Sequence, residues 1–283
     1  MTFLKITVSV FSTVLKNGLF NSVCKKDLPD ADHKHRFNII LYLVCIFLFG
    51  IGVIGGKISL FTVALGILFG VVTALSSFFQ MSALSQGPMH ITLLITTSSM
   101  IIPTMSGVFF GEKFSVYKLL AVIVLIGFIY LSLGKSHGGT INKKWLLCVS
   151  LAFIFQGSIG VLQKIHQSSE HKAELNAFLF VAFIISLIYS AVSSKKSYKE
   201  LGFKRKHVLI AVVCGVCMYI MNVVNLHLSG VLPSQLFFPL VNGSSIILSS
   251  LVSIFIFKEK ISKEQIVGLC GGIASLIAIC LLP

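Results

Sequence analysis

The sequence predicts an all-α integral membrane protein whose ten transmembrane helices form two inverted five-helix repeats. Three observations predict it. Apolar residues make up 55% of the 283 residues and charged residues only 11%, and mean hydropathy is +0.96. A soluble domain carries roughly a quarter charged residues, so the apolar excess is read as surface covered by lipid. Ten apolar runs follow one another with little between them. Finally, GEKFS at 111–115 returns as KEKIS at 258–262, an offset of 147 residues.

A hydrocarbon core of about 30 Å takes roughly 20 helical residues to cross. Runs bounded by charged residues, Gly or Pro fall at 3–24, 38–55, 60–84, 89–110, 115–134, 145–165, 175–194, 207–228, 233–257 and 263–282. Most connectors are short, so neighbouring helices should pack antiparallel. No soluble domain fits between them. The first run is read as a span, not a secretory signal, because Lys16 and Asn17 interrupt it and no small-residue cleavage site follows.

The echo extends along the chain at offsets of 145 to 147. Val14-Leu15 falls on Val161-Leu162, and Thr96-Thr97-Ser98-Ser99 on Asn242-Gly243-Ser244-Ser245. Gly70 meets Gly215, Ser77 meets Asn222, Gln80 meets Asn225, and Pro88 meets Pro233. Conserved order at nearly one period marks an internal duplication, placing one unit at 1–140 and a second at 141–283. Five crossings leave the chain on the opposite side, so the second unit is inverted. Inverted repeats are an established frame for alternating-access carriers, with the substrate site between them near the midplane.

The formal net charge of +14 and pI of 9.6 raise the question of nucleic acid. No basic face interleaved with aromatics supports that partner. Lys and Arg instead crowd the connectors around 25–36, 135–144, 195–206 and 258–263, while the opposite connectors and termini hold Lys5, Lys57, Lys113, Lys118 and Lys172. The positive-inside rule then expects both termini outside.

Ten helices as five plus five, each half closing with an apolar helix, an E-K turn and a small-residue-rich final helix, resemble the EamA-like branch of the drug/metabolite transporter superfamily. The final helices here read EKFSVYKLLAVIVLIGFIYLSL and EKISKEQIVGLCGGIASLIAICLL. The resemblance covers essentially the whole chain. It implies a secondary transporter, an exporter or exchanger of small metabolites such as amino acids, sugars or nucleotide-type compounds. The implied location is the plasma membrane of a bacterium, with lipid and a small molecule as partners. No cofactor or metal is expected, and monomer and homodimer both stay open. A cation at the place of Lys16 and Lys164 is common in that family.

Candidate site residues come from polar groups inside the spans, which are costly there and by default functional. Ser9, Ser12, Thr13, Lys16 and Asn17 follow helical spacing on one arc of the first span. The bland reading of Lys16 is a stem that snorkels to a helix end, but it lies several residues inside either boundary. Lys164, in the sixth span, runs directly into the polar exit IHQSSEHK, where snorkelling is the stronger alternative. Thr96, Thr97 and Ser98 in the fourth span, and Asn242 and Ser244 in the ninth, offer hydroxyl and amide groups; helix-to-helix glue is the competing role. Pro103 and Pro239 are expected to interrupt those two helices. Gln80 in the third span, and Asn222 and Asn225 at i,i+3 in the eighth, complete the set.

No carboxylate lies in the interior of a span: Asp27, Asp30 and Asp32 are in a connector, and Glu112, Glu170, Glu174, Glu200, Glu259 and Glu264 flank helix ends. A membrane cation without intramembrane acids favours an anionic or zwitterionic substrate over a cationic one. Glu112-Lys113 and Glu259-Lys260 are expected to start the last helix of each half, since a carboxylate complements a helix N-terminus. Cys214 and Cys217, in CGVC, are read as small packing residues. His33, His35, His166 and His171 lack companions at metal-ligand spacing and are read as solvated loop residues. HExxH, GxSxG and paired intramembrane carboxylates are absent, so the chain is read as no enzyme. A membrane scaffold or sensor that transports nothing is the alternative to a carrier.

Overall fold

The structure is a computed structural model that describes residues 2–111, 116–133, 142–258 and 262–282. Glu112-Lys113 and Glu259-Lys260, the repeated pairs, lie outside the described residues. The described chain is helical: α1 (Thr2–Cys24), α2 (Ala31–Val53), α3 (Leu60–Gln86), α4 (Met89–Ser98), α5 (Ile101–Ser106), α6 (Val116–Leu133), α7 (Lys143–Gln167), α8 (Leu175–Ser193), α9 (Arg205–Val231), α10 (Ser234–Phe255) and α11 (Lys263–Leu281). Among the described residues, seven helical segments are long and apolar enough to cross a membrane: α1, α2, α3, the α4–α5 segment, α7, α8 with the short turn before it, and α9. Large apolar side chains such as Phe3, Phe11, Phe47 and Phe109 stand exposed on the outer surface, as expected where the solvent is lipid. This is an integral membrane protein.

Local chemistry sets the helix ends. Asp30 caps α2 by accepting the His33 N–H at 2.9 Å, so α2 begins at Ala31 and the polar stretch DHKHR is helical. Ser59 caps α3 through the Thr62 N–H at 3.2 Å. Both the N–H and the hydroxyl of Ser59 donate to Glu174 at 2.8 Å, tying the α2–α3 connector to the start of α8.

Pro103 explains the break between α4 and α5. It has no N–H, so the Ser99 carbonyl loses its i+4 donor and accepts from Ile102 N–H at 3.0 Å instead. Ser99 and Met100 likewise bond three residues back, to the Thr96 and Thr97 carbonyls, at 3.3 and 3.2 Å. This tight local pattern marks a bend with an identifiable cause. Pro239 behaves differently from expectation. It sits early in α10, which runs through it unbroken.

α2 and α8 pack antiparallel. Asp32 accepts from Lys195 N–H (2.6 Å) at one end, and Asn176 Nδ2 donates to Gly52 O (3.2 Å) at the other. α3 lies on α8 so closely that a Cβ on Gly70 would collide with the Ala182 carbonyl oxygen and stand 2.8 Å from Ile185 Cβ. Gly215 brings α9 against α2 in the same way, since a Cβ there would stand 2.9 Å from Leu41 O. Further pairings join α1 to α9, α3 to α7, α6 to α11, and α10 to α1, α4 and α11. α11 therefore packs inside the chain, with Gly271 against the ring of Phe128. One apolar cluster gathers Phe20, Phe37, Phe49, Phe69, Phe178 and Phe183. A second gathers Ile6, Val10, Val14, Leu125, Phe237 and Phe238. Along α1, Lys16 falls between the two.

Candidate functional site: a polar cavity around Lys16

Polar side chains from α1, α3, α4, α7, α9 and α10 converge on a cavity beside Lys16. Two adjoining lobes of about 70 and 40 Å³ share the wall residues Lys16, Gln80, Gln156, Asn225 and Asn242. A water needs about 10–15 Å³ of such space, so the lobes have room for a handful. Drug-sized pockets run to about 300–1,000 Å³. In this conformation the helices are drawn in around the site.

Lys16 is 4% exposed and sits in the second half of α1, with Nζ 5.3 Å from the centroid of the Phe20 ring. Among the described residues no carboxylate pairs with it. Asn17 Oδ1 accepts from Gln80 Nε2 at 3.3 Å, joining α1 to α3. Ser9 Oγ donates to Asn225 Oδ1 at 2.5 Å, joining α1 to α9. Ser76 Oγ donates to Gln156 Oε1 at 2.9 Å, joining α3 to α7. Asn222 and Asn242 donate to carbonyls of their own helices, Met218 O at 2.8 Å and Phe238 O at 2.9 Å, which leaves their Oδ1 atoms free to accept. The wall thus offers a cation, amide donors and amide acceptors, a set that can hold a carboxylate and an amino or hydroxyl group together.

The bend between α4 and α5 forms part of this wall. Thr96 and Thr97 line the smaller lobe, and Ser99, Met100 and Pro103 the larger. Gly160 of α7 admits the bend, since a Cβ there would stand 2.7 Å from Pro103 Cγ. Broken helices are tolerated in a membrane where they line a cavity.

No family model matches the chain, and no curated protein matches it. A solved structure described only as a crystal structure of a protein is similar over 99% of this chain and 99% of its own. Its TM-score is 0.66 and its sequence identity 12%. The likeness is one of fold.

Of the sequence-predicted site residues, Thr13, Lys16, Asn17, Gln80, Thr96, Thr97, Asn222, Asn225 and Asn242 line the cavity. Three lie elsewhere. Ser98 is buried and its hydroxyl donates to Leu94 O on its own helix at 2.6 Å. Ser244 is half-buried and off both lobes. Lys164 also stands off the cavity and, contrary to a snorkelling stem, is buried. Its Nζ donates to Ser229 O at 3.3 Å, near the C-terminal end of α9 where helix carbonyls lack ladder partners.

Gln156 and Gln163 of α7 are cavity residues that sequence reasoning passed over as substrate groups. Their signal was present: Gln156, Gly160 and Gln163 follow i, i+4, i+7, and Thr73, Ser76, Ser77 and Gln80 repeat that spacing on α3. The histidines also correct the expectation of solvated loops. His35 and His166 are buried and stacked, on Phe78 (ring centroids 4.6 Å apart) and on Phe178 (4.3 Å). Cys45, Cys214 and Cys217 are buried free thiols.

Proposed function

We propose that the chain is a secondary transporter of the drug/metabolite type, carrying a small anionic or zwitterionic metabolite through the Lys16 cavity by alternating access. The observation that carries this reading is Lys16 itself, a buried cation on a polar wall with no carboxylate partner among the described residues. Burying an unpaired charge is costly, and a site that bears the cost gains an obvious counter-charge when a carboxylate or phosphate enters.

On this reading the α4–α5 segment counts as one span, and α6, α10 and α11 also cross, giving ten. The units are α1 to α6 and α7 to α11, related by inversion. Helix packing supports the relation, because exchanging the units maps the neighbours onto one another. α1 packs on α9 and α7 on α3; α2 packs on α9 and α8 on α3; α2 with α8, α6 with α11, and α4 with α10 map onto themselves. The close approaches at Gly70 and Gly215 exchange likewise. The cavity lies where the units meet, drawing side chains from both.

The test is flux. Purified protein in liposomes loaded with a mixture of amino acids, sugar acids and nucleotides should release anionic or zwitterionic members and retain cationic ones. Absence of flux for every member, from protein that remains folded, would favour the scaffold reading over the carrier.

A further inference from the structure

A second set of buried polar groups lies beyond the cavity, between α1, α2, α3 and α8. Asn21, His35, Asn38, Thr73 and Ser190 are each 4% exposed or less, and each keeps at least one side-chain nitrogen or oxygen without a hydrogen-bond partner; the buried Tyr42 stands among them. Both amide atoms of Asn38 are unpartnered. Buried polar groups are ordinarily partnered, and here several of the unpartnered ones fall between the same four helices. Five gathered along one track point to a polar occupant.

The track has two ends. Thr73 belongs to the wall of the Lys16 cavity. Along α2, Tyr42, Asn38 and His35 share one face, spanning about 10 Å at 1.5 Å per residue toward the helix start. The antiparallel register of α2 and α8, set by Asp32 against Lys195 and Gly52 against Asn176, places Ser190 level with Asn38. Asn21 stands one turn beyond Asn17 on α1. At the far end the His35 ring stacks on Phe78, with an interplanar angle of 4°, and meets Tyr189 at 5.9 Å. Past this stack lies the surface that holds Arg36, Lys195 and Lys196 together with Asp30 and Asp32, net basic with the rest of the 195–206 loop. The cavity wall extends the other way, toward Gln163 at the end of α7 and Phe237 at the start of α10.

The geometry points to a polar passage from the Lys16 cavity to the basic loop face, closed in this conformation by the aromatic stack of His35, Phe78 and Tyr189. Cavity and passage together make one polar track through the protein. Its basic mouth concentrates anions, matching the cation at Lys16, so the solute served is anionic or zwitterionic. The nature of that cargo rests on the transporter reading; the passage does not.

The test is cysteine accessibility in proteoliposomes, with native cysteines replaced and an impermeant anionic methanethiosulfonate on both sides of the bilayer. Asn38→Cys and Ser190→Cys report the passage, Lys199→Cys an exposed loop, and Leu43→Cys the lipid side of α2. With the open state populated at about 0.1–10%, Asn38→Cys and Ser190→Cys should react about ten- to a thousandfold more slowly than Lys199→Cys, yet to completion. Removing the stack with Phe78→Ala should speed both. The passage is refuted if both stay as unreactive as Leu43→Cys, with or without Phe78. Labelling without solute flux leaves the passage standing and removes the carrier reading; flux without labelling does the reverse.

Discussion

Replacing Gly70 by alanine tests the packing that holds the helices around the cavity. The added methyl would collide with the Ala182 carbonyl oxygen and stand 2.8 Å from Ile185 Cβ, where ordinary contact is 3.4–4 Å. Both obstacles belong to α8, and one is backbone, so α3 and α8 must separate. Overpacking of this kind costs about 1–3 kcal/mol. Separation also stretches the 2.8 Å bond from Ser186 Oγ to Gly70 O, worth about 1 kcal/mol. The sum, about 2–4 kcal/mol, lowers the folded-to-unfolded ratio roughly 30- to 700-fold at 1.4 kcal/mol per decade. Unfolding by sodium dodecyl sulfate in mixed micelles reads this directly, with the single tryptophan, Trp145, as fluorophore. Trp145 is buried and its Nε1 donates to Thr92 Oγ1 at 3.1 Å, so unfolding changes its surroundings. Gly127→Ala is the control, since a Cβ there meets nothing within 4 Å. If Gly70→Ala unfolds at the same detergent fraction as Gly127→Ala and the parent, the close-approach argument is wrong.

Two further outcomes separate scaffold from site. Lys164→Met removes a donor from Ser229 O and should cost about 1.5–3 kcal/mol, as for a hydrogen bond from a charged group, while flux per folded molecule is unchanged; lost flux at full stability would move Lys164 into the transport path. Asp30→Ala should cost about 1 kcal/mol through the lost cap of α2. Burial pushes the Asp30 carboxyl up, but the His33 N–H and ring bonds and the charges of His33 and Lys196 outweigh it, holding the group below its ordinary value. Its contribution is therefore full above the unfolded carboxylate range and fades as pH falls through the lower folded value. The stability gap between parent and Asp30→Ala should close on that acid side, and a gap independent of pH would contradict the assignment.

Helix positions are legible in this sequence because lipid demands long apolar runs, and runs of that length have one stable backbone solution. Hydropathy fails where helicity has another cause. α2 starts at Ala31 instead of 38 because Asp30 caps it, and no apolar count registers a cap. Pro103 and Pro239 look alike in sequence, yet only the segment before Pro103 breaks. Pro239 is the sixth residue of α10, past the first turn, so it too deprives a carbonyl, that of Gln235, of its i+4 donor, yet the helix runs on. The site is legible as far as helical spacing reaches: Thr13, Lys16, Asn17 and Gln80 stand on the arcs that face inward. Spacing cannot distinguish a face turned to a cavity from one turned to a neighbouring helix. Lys16 and Lys164 are both buried inner-face cations, and only the tertiary neighbours, the cavity for one and the Ser229 carbonyl for the other, tell them apart.

The central claim is that Lys16 supplies the charge that holds the transported solute. Solute flux through Lys16→Ala, Lys16→Gln and Lys16→Arg in proteoliposomes, at matched amounts of folded protein, tests it most directly. Lys16→Ala should abolish flux of anionic or zwitterionic solute without unfolding the protein, because what it removes is charge at a cavity wall. Lys16→Gln should fail as well, since it keeps hydrogen bonding and loses charge. Lys16→Arg should retain part of the binding and turn over more slowly, its guanidinium being bulkier and unable to release a proton. Flux by Lys16→Ala at the parent rate would contradict the account and remove the reason for an anionic or zwitterionic substrate.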